Sequence, residues 1–203
     1  ATKPFVWLQA FGMTADTFQA RLFGRVEDVA NGTVAGDGGV LINAAGGTVF
    51  LEDIDVLSPD CQNILVELLS TGRFRPIGAQ RSFQLDARVV ASSTRPLSRV
   101  VEEGTFRADL FYLLSVYDIA LPPLRERAED VIELIEFFSR NLAAKMGVSV
   151  PPLPQPTKRR LVNYDWPGNV MELRNLVERA LIVGEFQVPN GERTETDAHE
   201  SQA

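Results

Sequence analysis

The chain has 203 residues, of which 45% are hydrophobic and 23% are charged, and its formal net charge is −7. A chain of this length can bury a real core, so we expect one globular domain, or one domain plus a small appendage. The acidic balance argues against a broad phosphate-neutralising surface, and we therefore expect any action on DNA to run through a partner or through a segment that is not in this chain.

The cysteine content and the hydropathy argue against a disulfide-rich, zinc-binding or membrane protein. Cys61 is the only cysteine, which excludes an internal disulfide framework and a multi-cysteine zinc site. No apolar run approaches the roughly 18 residues of a membrane span, and residues 1–4 do not resemble the apolar core of a signal peptide. We expect a cytoplasmic protein with no membrane partner.

The first half of the chain is predicted to alternate strands and helices. The continuous apolar run 49–51 is typical of a strand buried on both faces of a parallel sheet. Ser58 is a good N-cap, Pro59 suits a first helical turn, and Gly72 can end the helix that they start. In chain order, the predicted elements are a strand over 4–8, a helix over 14–23, a loop over 24–39, a strand around 49–51, a helix over 59–72 and a strand over 83–92.

This alternation predicts an α/β sheet with helices on its faces. Ligands of such sheets bind at the carboxyl ends of the strands. Glu52 and Asp53 follow the apolar run directly, so they are candidate site residues at one such end.

The second half of the chain is predicted to be helical. The predicted helices cover 107–114, 130–146, a segment that starts at the N-cap Thr157, and 171–183. We place the α/β part at residues 1–122 and the helical part at 123–184. Residues 185–203 are polar and acidic, and we expect a disordered tail or linker there.

Five segments occur in an order that points to one family. They are RLFG at 21–24, GGTVFLEDID at 46–55, FRADL at 106–110, LPPLRER at 121–127 and WPGNV at 166–170. Together they resemble the central AAA+ domain of sigma-54-dependent transcription activators, over about residues 4–183. The resemblance implies a three-layer αβα parallel-sheet subdomain, with its N-terminal part missing, followed by a small α-helical lid subdomain. Such domains assemble into rings, bind ATP and magnesium between subunits, and remodel the sigma-54 RNA polymerase holoenzyme.

The phosphate-binding loop of the family is not found within residues 1–203. That loop needs the pattern G-x-x-x-x-G-K-[S/T], in which backbone N–H groups and a lysine surround the phosphates. The resemblance places it just upstream of Ala1, so that either the chain is a fragment or its gene has lost that part. We expect ATP and magnesium as cofactors only if the upstream loop exists.

The pair Glu52–Asp53 matches the two carboxylates of the family's magnesium and water site, but in exchanged order. The resemblance implies aspartate first, holding magnesium, and glutamate second, orienting the attacking water; if magnesium is bound here, these two residues hold it. The exchange keeps the charges and alters the reach, and a misplacement of roughly 1 Å can cost about a hundredfold in rate. We interpret the pair as a relic of a catalytic site, and two solvated carboxylates at a strand end are the alternative.

Four further positions correspond to nucleotide contacts of the family. Thr94 stands where sensor I has an asparagine or histidine, and a threonine side chain is shorter. Arg107 matches one of two arginine fingers, although a surface ion pair would also explain it, and Leu113 replaces the second finger. Met171 replaces the sensor II arginine and cannot contact phosphate as a cation.

The sigma-54 contact loop of the family also departs from its pattern. Counted without gaps from RLFG, the family's GAFTGA sequence falls on Asp28, Val29, Ala30, Asn31, Gly32 and Thr33. Only Gly32 is retained, and Ala30 and Asn31 stand where phenylalanine and threonine are central. We therefore predict that this chain does not remodel sigma-54 directly.

Substituted functional positions beside retained scaffold motifs favour one hypothesis. It is a module of transcription regulation that associates with itself or with AAA+ homologues and does not hydrolyse ATP efficiently. The alternative is a fragment of an ATP-dependent sigma-54 activator whose phosphate loop and DNA-binding domain lie outside this chain. The RNA polymerase sigma-54 factor is a further candidate partner.

Overall fold

The computed structural model describes residues 2–25 and 38–188. The chain divides into two compact units, Ala1–Asp118 and Ile119–Ala203, which we call the α/β unit and the helical unit. The predicted boundary after residue 122 lies slightly later than this division. In the described ranges, no helix combines the length and the apolar character that crossing a membrane requires.

The α/β unit alternates strands and helices, so the predicted α/β class is confirmed. Its strands are β1 (Phe5–Gln9), β2 (Gly47–Glu52), β3 (Arg73–Phe74), β4 (Phe83–Gln84) and β5 (Ala87–Ala91). Its helices are α1 (Ala15–Phe23), α2 (Gly39–Asn43), α3 (Pro59–Thr71), α4 (Leu97–Glu102) and α5 (Ala108–Leu114). A single 3-10 turn, Ile54–Val56, follows β2.

Three strands form a parallel sheet in the order β1-β2-β5. On one face of the central strand, Val49 and Leu51 are completely buried. On the other face, Phe50 is half-buried and stacks on Phe5. The strand is therefore fully buried on one face only, whereas burial on both faces was predicted. Because the strands run parallel, their carboxyl ends meet at one edge of the sheet, where Gln9 pairs with Glu52.

The helices beneath the sheet follow the predicted apolar stripes. Phe18 and Leu22 of α1 are both 0% exposed, because residues four apart share one face of a helix. Helix α3 begins after the N-cap Ser58, whose hydroxyl oxygen accepts the Cys61 N–H at 3.3 Å, and it ends at Gly72 in the left-handed conformation. These bounds confirm the predicted helix.

Three local predictions are wrong. The strand predicted over 83–92 is two strands, because β4 pairs antiparallel with β3 whereas β5 joins the parallel sheet. The loop predicted over 24–39 ends one residue into the short helix α2, and that helix was not predicted. Thr157 is not an N-cap. The helix starts at Gln155, after Pro154, because Pro156 in its first turn has no N–H that needs an acceptor.

The helical unit contains a 3-10 turn (Leu124–Glu126) and three helices, α6 (Asp130–Met146), α7 (Gln155–Val162) and α8 (Asn169–Val183), in its described residues. Trp166 is 0% exposed, and its indole N–H donates to the Leu161 carbonyl oxygen at 2.9 Å. It belongs to one hydrophobic cluster together with Leu124, Val131, Ile135, Leu161, Leu173 and Val177. The predicted bounds of α6 are confirmed, and α8 starts two residues before the predicted position, Met171.

Candidate functional site

The candidate site lies where β2 and β5 end, at the carboxyl edge of the parallel sheet. The Asp53 N–H donates to the Ser92 hydroxyl at 3.3 Å, and the Ile54 N–H donates to the Ser92 carbonyl oxygen at 3.0 Å. These bonds hold the turn after β2 against the segment after β5. The structure therefore brings the predicted residues Glu52, Asp53 and Thr94 to one edge.

Glu52, the last residue of β2, does not have a free carboxylate. Its Oε2 accepts the indole N–H of Trp7 at 3.1 Å, across the β1–β2 pair. This hydrogen bond to an ionised acceptor favours the orientation in which the carboxylate faces the neighbouring strand. This partner could not be predicted from the sequence, because Trp7 is 45 residues away.

Asp53 lies in the left-handed backbone region, with φ 56° and ψ 52°. Aspartate is one of the residues that tolerates this conformation, and the turn lets the chain leave the sheet directly into the 3-10 turn. Its side chain is half-buried. The adjacent carboxylates of Glu52 and Asp53 therefore leave the strand end with different backbone geometries and different lengths.

Asp55 is a site residue that the sequence analysis missed. It is 9% exposed, its Oδ1 accepts the Thr94 N–H at 3.3 Å, and its Oδ2 accepts the Thr94 hydroxyl at 3.0 Å. It is the last residue of the quoted GGTVFLEDID stretch, which is the only signal that sequence offers. Nothing local indicates its partner, because 39 residues separate Asp55 from Thr94.

Arg107 precedes α5, and its guanidinium is held by two side chains. Nε and Nη2 donate to the two oxygens of Asp109 at 2.9 and 2.6 Å, and Nη1 donates to Asn63 at 2.6 Å. The hydrogen bond from Arg107 is the main reason why the pKa of Asp109 falls to about 2. The stabilisation from this pair is therefore present above the ordinary carboxyl pKa of 3.8 and is lost as the pH falls through about 2.

The backbone of Arg107 is positioned by Gln62, which is 1% exposed. The Gln62 side-chain oxygen accepts the Arg107 N–H at 2.8 Å, and its amide N–H groups donate to the carbonyl oxygens of Leu57 and Thr105, each at 2.9 Å. One buried amide thus joins the turn before α3 to the turn before α5. The sequence analysis did not single out this residue.

We predict that Gln62→Leu lowers the free energy of unfolding of the α/β unit by about 2–4 kcal/mol, since three partly buried backbone groups lose their partner. Thermal or urea unfolding followed by circular dichroism measures the change. Glu67→Ala, five positions further along the same helix and exposed, is the matched control and should cost less than about 0.5 kcal/mol. Equal losses in the two variants would contradict the positioning role of Gln62.

Comparison with known proteins identifies the family. Residues 1–120 match the sigma-54 interaction domain, which is more than half of the chain. This chain belongs to the sigma-54 interaction domain family. Residues 125–202 match the AAA+ ATPase lid domain, in agreement with the helical unit.

Relatives of known role share this part of their sequence. The nitrogen fixation protein VnfA of Azotobacter vinelandii is 36% identical over 191 residues, which are 94% of this chain and 37% of that protein. The phenol regulator MopR of Acinetobacter guillouiae is 37% identical over 185 residues, 91% of this chain and 33% of that protein. The chain therefore spans roughly a third of the length of these relatives.

A solved structure shares the fold. The crystal structure of NtrX from Brucella abortus in complex with ADP superposes with a TM-score of 0.80 and 31% identity, over 94% of this chain and 42% of that chain. The AAA+ fold predicted from the family motifs is thus confirmed. The sigma-54 contact loop predicted at 28–33 lies outside the described residues. The described chain on either side of it meets closely, because a Cβ on Gly39 would lie 2.3 Å from the Gly24 nitrogen.

Met171, which the family resemblance predicts at the sensor II position, is 63% exposed on α8. The neighbouring Glu172 is engaged at the start of that helix. One of its oxygens accepts the Gly168 N–H at 2.8 Å and the other accepts the Tyr164 hydroxyl at 3.0 Å. Burial, then the bond to Glu172, raises the pKa of Tyr164. Residues 164–172 thus build a stable helix start in the helical unit, and Met171 adds an apolar side chain without a cation.

The described residues offer few protein ligands for magnesium at the strand end. Magnesium takes six oxygens in near-ideal octahedral geometry, and it usually keeps several waters and binds one or two carboxylates together with substrate phosphates. The oxygens nearest the strand end include Glu52 Oε2, which is bonded to Trp7, and both oxygens of Asp55, which are bonded to Thr94. Among residues 2–25 and 38–188, no group of three or more acidic, histidine or cysteine side chains is arranged to hold a metal.

Proposed function

We propose that this chain is the AAA+ domain of a transcription regulator whose nucleotide site has lost its hydrolytic geometry. It acts by associating with itself or with an AAA+ homologue. Membership of the sigma-54 interaction domain family supports the regulatory part, as does similarity to proteins named as regulators. The loss of hydrolysis rests on the residues at the carboxyl edge of the sheet.

The observation that carries the proposal is the state of the two carboxylates after β2. Glu52, in the position that the family fills with the shorter aspartate, is turned onto the Trp7 indole. Asp53, in the position of the water-orienting glutamate, is one methylene too short for that reach. Because a displacement of about 1 Å costs roughly a hundredfold in rate, this arrangement disfavours turnover while the strand end keeps its charge.

The remaining nucleotide positions support the same proposal. Leu113 and Met171 present apolar side chains where the family has arginines, and transition-state stabilisation by arginine is worth several orders of magnitude in rate. Arg107 keeps its charge and is paired with Asp109 within the same subunit. These substitutions bear on hydrolysis, whereas Phe106 and Trp166 of the retained family motifs are buried.

An ATP-dependent sigma-54 activator, of which this chain is a part, is the second candidate function. One observation favours it: the Arg107 side chain stays 45% exposed, so a neighbouring subunit's nucleotide has access to it. In addition, the similar NtrX structure contains ADP, as its description states. This candidate predicts ATP turnover by the protein at its natural length.

The two candidates differ in the ATP turnover of the natural-length protein. We expect a rate at least about a hundredfold below that of an active sigma-54 activator at the same subunit concentration, because the carboxylates are misplaced. Phosphate release with magnesium and ATP measures it. The double variant Glu52→Asp/Asp53→Glu, which restores the family order, should turn over faster than the natural protein. A natural protein as fast as the active activator would establish the second candidate instead.

The association part of the proposal is tested by mixing. An equimolar mixture with an active sigma-54 activator should lower that activator's ATPase rate about twofold, because a shared interface lacks a complete set of arginine fingers. Light scattering of the mixture should show a mass above that of either protein alone. The active protein diluted into buffer is the control for concentration. Unchanged rate and unchanged mass would overturn the proposal.

A further inference from the structure

The contact between Asp55 and Thr94 has no role in the proposed function so far. Thr94 is exposed and follows β5 at the carboxyl edge of the sheet, whereas Asp55 is buried behind it. The carboxylate of Asp55 accepts both donors that Thr94 has, the N–H at 3.3 Å and the hydroxyl at 3.0 Å. Both hydrogen-bond donors of Thr94 are therefore already bonded within the protein.

A carboxylate and a phosphate oxygen compete for the same donors. Both are anionic acceptors, and a hydrogen bond to an ionised group is roughly twice as strong as a neutral one. Asp55 is attached to the chain next to its donors, so it competes without the loss of freedom that a dissolved anion suffers on binding. A phosphate group at this edge would have to displace a carboxylate that is already bonded.

The negative charge around Asp55 also disfavours the binding of a phosphate. Glu52, Asp53 and Asp55 fall within four residues, and a phosphate at the strand end would meet all three negative charges. Arg95 is the nearby cation: its pKa is raised mainly by its hydrogen bond to Glu103 and, to a smaller extent, by the charge of Asp55. Since Arg95 is paired with Glu103, it compensates the three carboxylates only in part.

We propose that Asp55 is an internal anion that occupies the Thr94 donors and thereby keeps a nucleotide phosphate from binding at the end of β5. This inference rests on the proposed function and gives it a specific residue. Asp55 is a positioning residue that acts through Thr94. A contact that only fastened the two loops would stabilise the fold, and its removal would not improve phosphate binding.

The test is the affinity of the natural-length protein for a fluorescent ATP analogue in the presence of magnesium. Asp55→Ala frees both donors and removes a charge, and we expect binding about tenfold tighter than in the natural protein. Asp55→Asn keeps one acceptor for Thr94 and should give a smaller gain. Asp60→Asn, an exposed carboxylate five residues away, removes the same charge without touching Thr94 and should leave the affinity unchanged.

The double variant Asp55→Ala/Thr94→Val identifies the donors. If Asp55 acts by occupying them, about half of the tenfold gain, on a logarithmic scale, is lost when the Thr94 hydroxyl is also removed, because valine keeps only the N–H donor. A gain that persists in full in the double variant, or an affinity that does not rise in any Asp55 variant, overturns the inference. Asp55→Asn is the variant that decides if Asp55→Ala does not fold, as judged by circular dichroism.

The proposed function can fail independently. It fails if the natural protein turns ATP over as fast as an active activator, whatever the Asp55 variants do. The inference about Asp55 depends only on the ratio of affinities between the variants and the natural protein. A slow natural protein whose Asp55 variants bind no tighter would leave the proposed function standing and remove the inference.

Discussion

Replacing Trp166 with alanine is expected to lower the free energy of unfolding of the helical unit by about 3–5 kcal/mol. Its side chain is completely buried in the centre of that unit's core, and its indole N–H donates to the Leu161 carbonyl oxygen. The ring also packs edge-to-face on Tyr164 at 5.1 Å between centroids. Alanine would therefore leave a cavity and remove one of the donors of the Leu161 carbonyl oxygen, which also accepts the Tyr164 N–H at 3.4 Å.

Urea unfolding monitored by far-ultraviolet circular dichroism measures this loss. Phe137→Ala is the control, because Phe137 is another large aromatic side chain of the helical unit but is 51% exposed on α6. It should cost less than about 1 kcal/mol, as surface substitutions usually do. A comparable loss for the two variants would mean that Trp166 is not the centre of this core.

Replacing Gly47 with alanine is expected to cost the α/β unit about 3 kcal/mol, near the upper end of what overpacking usually costs. Gly47 is the first residue of the central strand, and a Cβ there would lie 2.0 Å from the Pro4 carbonyl oxygen. That oxygen accepts the Thr48 N–H at 2.9 Å, so relief of the clash requires β1 to move away from β2. The contact is with backbone, which cannot rotate out of the way.

Gly46→Ala is the matched control at the adjacent position. Gly46 has φ 72°, and a Cβ there would meet nothing within 4 Å. This variant carries the cost of the left-handed conformation alone, about 1–2 kcal/mol. Calorimetry of the two variants at one pH compares them directly. We expect the melting temperature to be highest for the natural protein, lower for Gly46→Ala and lowest for Gly47→Ala. The reverse order of the two variants would contradict the steric explanation.

Much of the secondary structure could be predicted because its signals are local. Thr14 and Ser58 cap α1 and α3 with their own side chains, accepting N–H groups three residues further on. Gly147 and Gly184 end α6 and α8 in the left-handed conformation, which glycine adopts without strain. The prediction of one strand over 83–92 failed for the opposite reason: the change of partner between β4 and β5 depends on residues elsewhere in the chain.

The candidate site divides in the same way. Glu52 and Asp53 could be found because they directly follow an apolar run and match a family motif. Asp55 and Gln62 could not be assigned roles, because their partners lie 39 and up to 45 residues away. Polar contacts of this kind have no period and no fixed spacing, so a single sequence carries no signal for them.

By itself, the sequence determined the family and the α/β class, and it predicted which nucleotide positions are substituted. These depend on residue type, order and short-range periodicity. Only the tertiary structure decided which of the polar groups are already bonded: Glu52 to Trp7, Thr94 to Asp55, and Arg107 to Asp109 and Asn63. The parallel sheet explains the first two contacts, because it brings residues from distant parts of the chain to one edge, where their donors and acceptors satisfy one another.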